Sequence, residues 1–192
     1  MSEVPVQRVA EAIRRRMNGQ CDDADVSGAL NDEIKDLSIL GDPAEADLPW
    51  EPLRGTHRYW TALPKTDGVA DAMKVDPDGL RPALGYLMLV DVGAGENEYR
   101  YALYGSRIAS VAGFDMTGKT VWQVATTAVI QIFFVACYDA VRELRRPAYT
   151  VHRAPPHITA SHWHRLILPL GADGTVKRFL VCNTPVRRGK LV

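Results

Sequence analysis

Four of the five histidines fall within a short stretch, His152, His157, His162 and His164. Metal capture needs neutral imidazoles converging on one point, and His162-x-His164 on a strand would put two rings on the same face. The functional reading is part of a zinc or haem-iron ligand set. The plainer one is a pair of polar residues on the wet face of an antiparallel strand. No acid or cysteine lies nearby in sequence to complete a metal shell, so no metal is assigned. Two alternations compete on this strand. Leu166 and Leu168 would turn His162 and His164 inward, whereas Trp163 and Ile167 would turn them outward. If inward, the two rings could hydrogen-bond a small polar ligand or respond to pH near neutrality. They could also serve as the base of a small α+β enzyme, a weaker alternative.

Other chemistry finds little footing. There is no Gly-x-Ser-x-Gly elbow and no cysteine sharing a motif with a histidine. Gly93-x-Gly95 is too short for a dinucleotide fingerprint and reads as a turn. The paired Asp22-Asp23 sits in an acidic segment where solvation is expected. No catalytic residue is assigned, and the chain reads as non-enzymatic. A second set, Tyr86, Tyr99, Tyr101, Phe114, Trp122, Phe133 and Phe134, is core in the plainer reading. In the functional one, Tyr86, Tyr101, Phe114, Trp122 and Phe133 line a cavity with His162 and His164.

The elements that would position these residues follow from pattern. Val6, Val9, Ile13 and Met17 recur at helical spacing in an amphipathic helix too short to stand alone, closed by Asn18-Gly19. A second short helix is expected over Ala29–Leu40. Gly41–Pro52, with three prolines and four acids, reads as a linker. Leu53–Leu63 suggests a helix with Tyr59, Trp60 and Leu63 inward, and Asp76-Pro77 a capped helical turn. Strands are expected at Leu84–Val92 and Glu98–Gly105 around a Gly93–Asn97 hairpin. A glycine-hinged connector then leads to a long helix over Thr120–Arg145, broken near Ala125-Thr126. Its apolar positions form two stripes, so it should be covered from two sides. Strands at Ala148–Arg153, Thr159–Leu170 and Val176–Asn183 finish the chain. Two strands, helices and three strands make an α+β fold: a five-stranded antiparallel sheet with helices on one face. An N-terminal helical extension and acidic linker (1–48) precede the domain (49–187), and a basic tail (188–192) follows.

Composition narrows the partners. Lys+Arg and Asp+Glu each number 23, so nothing draws the chain to nucleic acid or an anionic membrane. Cys21, Cys137 and Cys182 form no CxxC pair, and no secretory leader is visible. A reduced, cytoplasmic protein is expected. Thr120–Tyr138 carries no charge and approaches the length of a membrane span. Its Gln123, Thr126, Thr127 and Gln131, and its place between strands, favour a buried helix instead.

Several weak motifs in order resemble the PAS domain family. They are Gly105-Ser106, Ile108, Gly113-Phe114, Asp115-Met116-Thr117-Gly118-Lys119 and Trp122, with Tyr59-Trp60, Leu63-Pro64 and Val75-Asp76-Pro77 ahead of them. Arg146-Pro147 and Leu166–Leu170 follow. The resemblance spans roughly residues 55–187 and is nearest to a stand-alone bacterial subfamily with a Trp-led helix. It implies the same fold, and a hollow beneath Gly105–Trp122 where a cofactor or metabolite sits. The chain lacks the flanking cysteine of flavin-photoreactive relatives and a histidine matching a haem ligand, so flavin and haem are disfavoured and a small metabolite is left open. The function implied is a sensory or regulatory module that binds a small molecule, a partner protein, or both. With few residues after the last strand, its signal is expected to pass by association. A homodimer through Val6, Val9, Ile13, Met17, Ile130 and Phe134, or a regulatory protein partner, would carry it. The competing reading is a structural dimerisation domain with a filled core.

Overall fold

The structure, a computed structural model, describes residues 5–192. The first residues of the N-terminal extension, Met1–Val4, lie outside that range. Helix α1 (Val6–Met17) buries Val9, Ala10, Ile13 and Met17, the stripe set by its spacing, and Gly19 takes the left-handed exit at φ +68°. Helix α2 covers Asp23–Ala29, where Asp22 accepts bonds from the Ala24 and Asp25 amides. The expected helix at Ala29–Leu40 does not form. Asn31, Asp32 and Asp36 all adopt positive φ, a conformation Asn and Asp tolerate because their side chains bond their own backbone. The chain then enters a strand, β1 (Ser38–Gly41), inside the stretch expected to be helix and linker.

Helix α3 (Glu51–Ala62) starts with Pro52 in its first turn and buries Leu53, Thr56 and Trp60. Two short strands, β2 (Lys65–Thr66) and β3 (Val69–Asp71), precede tight helical turns at Ala72–Lys74 and Pro77–Tyr86. Asp76 caps the second as expected, accepting from the Asp78 amide at 3.0 Å. Because that turn runs to Tyr86, the next strand begins at Leu87, not Leu84. This is β4 (Leu87–Val92), followed by β5 (Tyr99–Tyr104). Helix α4 (Ser106–Ala112) ends on Gly113 at φ +83°. The long helix expected from Thr120 is shorter: after a turn at Val121–Gln123, α5 spans Ala128–Leu144 with Thr127 as its cap. No helix among the described residues is long and apolar enough to cross a membrane.

Strands β6 (Ala148–Arg153), β7 (His162–Ala172), β8 (Thr175–Arg187) and β9 (Lys190–Leu191) complete the chain. The β7–β8 turn is a two-residue Asp173-Gly174 loop with both residues at positive φ, as this hairpin type requires. The expected basic tail folds back, pairing Leu191 with Val186. The five expected strands form the centre of one sheet, ordered β6-β7-β8-β4-β5 and antiparallel throughout. β1 extends the β6 edge, while β3 lies parallel to β7.

One face of the sheet carries α5, with α1 lying along it in the same chain. This accounts for the two apolar stripes of α5: ten of its residues, from Val129 to Val141, are buried. To that expected layer the structure adds another. Leu53, Trp60, Leu80 and Tyr86 cover the opposite face against Leu166, Leu168 and Leu180. Trp60 is anchored by its indole N–H donating to the Pro169 carbonyl at 3.0 Å. At about 1.5–3 kcal/mol per large buried side chain, both layers are needed to hold a sheet that is apolar on each side.

Candidate functional site

Residues on β7 alternate between two covered faces. His162 and His164 point with Leu166 and Leu168 toward the α3 layer, away from α5. His164 Nδ1 lies 2.6 Å from the Tyr149 hydroxyl, and its ring meets Trp50 edge-on at 6.4 Å. Burial pushes its pKa down to about 4, so it is neutral near pH 7. His162 Nε2 instead meets Asp36 at 3.0 Å, and Arg153 donates to the same carboxylate at 2.8 Å. Those bonds hold the Asp36 carboxyl below the usual range. His164 thus packs against the α3 layer, while His162 sits in a part-exposed cluster with Asp36 and Arg153. No group of three His, Cys, Asp or Glu placed to hold a metal occurs among the described residues.

The other register of β7 faces α5: Trp163, Arg165 and Ile167. Strand pairing puts Arg165 directly across from Thr150 on β6 and from Asn183 on β8, with His152 across from Trp163. Directly opposed residues share a face, so a polar row crosses three strands beneath an apolar helix. The Arg165 side chain is buried, the residue being only 4% exposed. Its guanidinium stacks on Phe134 at 3.7 Å. Arg165 Nε and Nη1, His152 Nδ1, Asn183 Oδ1 and Thr150 Oγ1 are all buried without a hydrogen-bond partner. His152 packs edge-on against Phe133 and Phe134 at 5.6 and 5.8 Å. Burial first, then the nearby Arg165 charge, lowers its pKa to about 3 and keeps it neutral.

Arg165, His152 and Asn183 border a hollow between the start of α5, the connector after α4 and the β6–β7 loop. Its remaining walls are Tyr104, Ala112, Phe114, Ile130, Phe134, Ile158 and Trp163, with Thr126 and His157 toward the mouth. The space open to water is about 40 Å³, against the 10–15 Å³ or so that one water requires. With its walls in place, that is room for a few waters or a very small molecule.

Of the sequence-derived candidates, Phe114 lines the hollow. Ile130 and Phe134, expected at a dimer contact, line it too. Tyr101 and Phe133 are buried behind its wall, with Tyr101 edge-on to Tyr104 at 5.4 Å. Tyr86 lies on the other face beneath Arg107. Trp122 is 40% exposed outside, its indole donating to the Asn97 carbonyl at 3.1 Å. Val9, Ile13 and Met17 are buried within the chain, and Val6 packs beside them. Cys137 and Cys182 are buried thiols pushed up to about 12, inert as small hydrophobes. Arg165 and Asn183 were absent from the sequence-derived set, and His152 was named there only among the clustered histidines. The signal for Arg165 was a charge in the inward register of Trp163 and Ile167, readable only once that register is known.

A five-stranded antiparallel core, roofed on one face by a glycine-hinged connector and a long helix over a partly polar hollow, defines an α+β module. Residues 50–183 match the family described as PAS domain, and the chain belongs to that family. Domains of this family are in general non-catalytic sensory modules and commonly mediate protein–protein interaction. Searches against curated proteins and against solved structures each found no match.

Proposed function

We propose that the chain is a non-catalytic sensory module that binds a small molecule in the hollow under α5 and signals through association with a second protein. The observation supporting this is the set of partnerless polar atoms on Arg165, His152 and Asn183 around one hollow. Buried polar groups in native proteins nearly always have partners, so a cluster of unmatched ones marks a place where something else supplies the bonds. Ile130 and Phe134 roof the hollow from α5, and α5 is packed against α1. An occupant that favours one position of α5 would alter how α1 is held, and with it the surface offered to a second copy or a regulatory protein. Occupancy acts only through its differential affinity for the two arrangements. Three free thiols, two of them deeply buried, suit a reducing, cytoplasmic setting.

The small size of the hollow favours a second reading, a structural interaction domain whose cavity holds only water. A thermal-shift screen across organic acids, amino acids, nucleobases and sugars separates the two. The sensor reading expects at least one class to raise the melting temperature of the wild type but not of Ala112→Phe, which fills the hollow from α4. Silence across every class would leave the structural domain.

A further inference from the structure

We infer that the hollow is built for a short monocarboxylic acid, its carboxylate held by Arg165 and its apolar remainder against Phe114, Ile130 and Phe134. This rests on the ligand-binding reading above and adds the class of ligand. Arginine keeps its charge in proteins, and a buried charge is costly unless paired. Among the described residues Arg165 makes no ion pair, and it is the one charged residue on the wall of the hollow. The half-buried acid of α5, Asp139, is already engaged by the Tyr99 hydroxyl. Phe134 covers a face of the guanidinium, which leaves its edge as the side where a planar carboxylate would pair with it. His152, neutral and itself lacking a partner at Nδ1, adds no second positive charge.

The charge count sets the selectivity. One cation with no facing acid suits one negative charge. A dicarboxylate would bury a second, uncompensated charge, and an amino acid would bury an unpaired ammonium. The apolar walls likewise disfavour inorganic phosphate. A volume near 40 Å³ limits an occupant that leaves the walls in place to a few heavy atoms. Longer acids require the Pro155–Ile158 side of the mouth to move.

Calorimetric titration at constant ionic strength in chloride buffer tests this with acetate, propionate and butyrate against propionamide, succinate, alanine and inorganic phosphate. Propionate or butyrate is expected to bind at least about tenfold more tightly than propionamide, since the amide cannot pair with a guanidinium charge. Succinate, alanine and phosphate should be weaker by a similar factor. Arg165→Met should abolish the preference for acid over amide. Equal binding of propionate and propionamide to the wild type overturns the inference without any variant, and unchanged acid binding by folded Arg165→Met does so as well. In either case the sensor reading survives on whatever other class stabilises the protein. If none of the acids binds up to about 10 mM, a range where even millimolar affinity would show, the carboxylate assignment is wrong. The wider screen then decides the sensor reading separately.

Discussion

Replacing Arg165 with methionine should make the empty protein more stable. The substitution removes a buried guanidinium whose Nε and Nη1 have no partner. Each unmatched buried donor costs about 1–3 kcal/mol, so relieving two returns about 2–6 kcal/mol. The lost stacking of guanidinium on Phe134 at 3.7 Å offsets about 2 kcal/mol. A methionine thioether against the same ring recovers about 1 kcal/mol and refills most of the volume. The net expectation is stabilisation by about 1–5 kcal/mol, overlapping the range of about 1–4 kcal/mol seen when buried ion pairs give way to apolar residues of similar size. For a chain of 192 residues that corresponds to a melting temperature higher by about 2–4 °C per kcal/mol. Guanidinium or urea unfolding of ligand-free protein measures it, with an unchanged m-value showing that the native state has kept its compactness. A loss of more than about 1 kcal/mol would refute the reasoning, because it would mean that Arg165 is satisfied in the empty protein and awaits nothing.

Other consequences follow from the same packing. Ile13→Ala, at the fully buried α1 surface, should cost about 2–5 kcal/mol in denaturant unfolding. A change confined to oligomeric state in light scattering would return that face of α1 to an intermolecular role. Gly105→Ala would place a Cβ 2.4 Å from the Gly85 carbonyl oxygen and 2.8 Å from that of Leu87. A lower melting temperature with a displaced connector is expected, and a neutral result would show that this junction yields easily. His152 titrates near pH 6.5 when unfolded but only at about pH 3 when folded. As pH falls below 6.5 the unfolded chain gains the proton first, so stability drops through the window from 6.5 to 3. Between pH 6.5 and 4.5 this amounts to about 2–3 kcal/mol. His164, depressed to about 4, acts in the same direction. His152→Phe should flatten that slope relative to wild type, and parallel pH curves for the two proteins would exclude His152 as a source.

Much of the frame was legible because its signals are local. Ala148–Arg153 is the strand its alternation describes, Gly93–Asn97 joins two paired strands as the hairpin expected there, and the double stripe of α5 foretells cover on two sides. The site was less legible for one physical reason. Both faces of β7 are covered, by α3 on one side and α5 on the other, so Leu166 and Leu168 compete with Trp163 and Ile167 and alternation gives no parity. With parity open, attention falls on His162 and His164, while Arg165, the next residue along, passes for a surface charge. Ser38–Gly41 was hidden differently: a short edge strand within an acidic stretch owes its form to pairing with β6, a contact that no local pattern announces. The stripe of α1 was plain, but periodicity says only that a face is buried, not whether its partner belongs to the same chain.

The most direct test of the central claim is to follow the Arg165 Nε–H resonance by nuclear magnetic resonance while propionate is added. A saturable downfield shift of that signal, with matching changes at Asn183 and Phe134, is the predicted result. A titration in which Arg165 stays still while other surfaces respond, or in which nothing saturates, would contradict a ligand seated between α5 and the sheet.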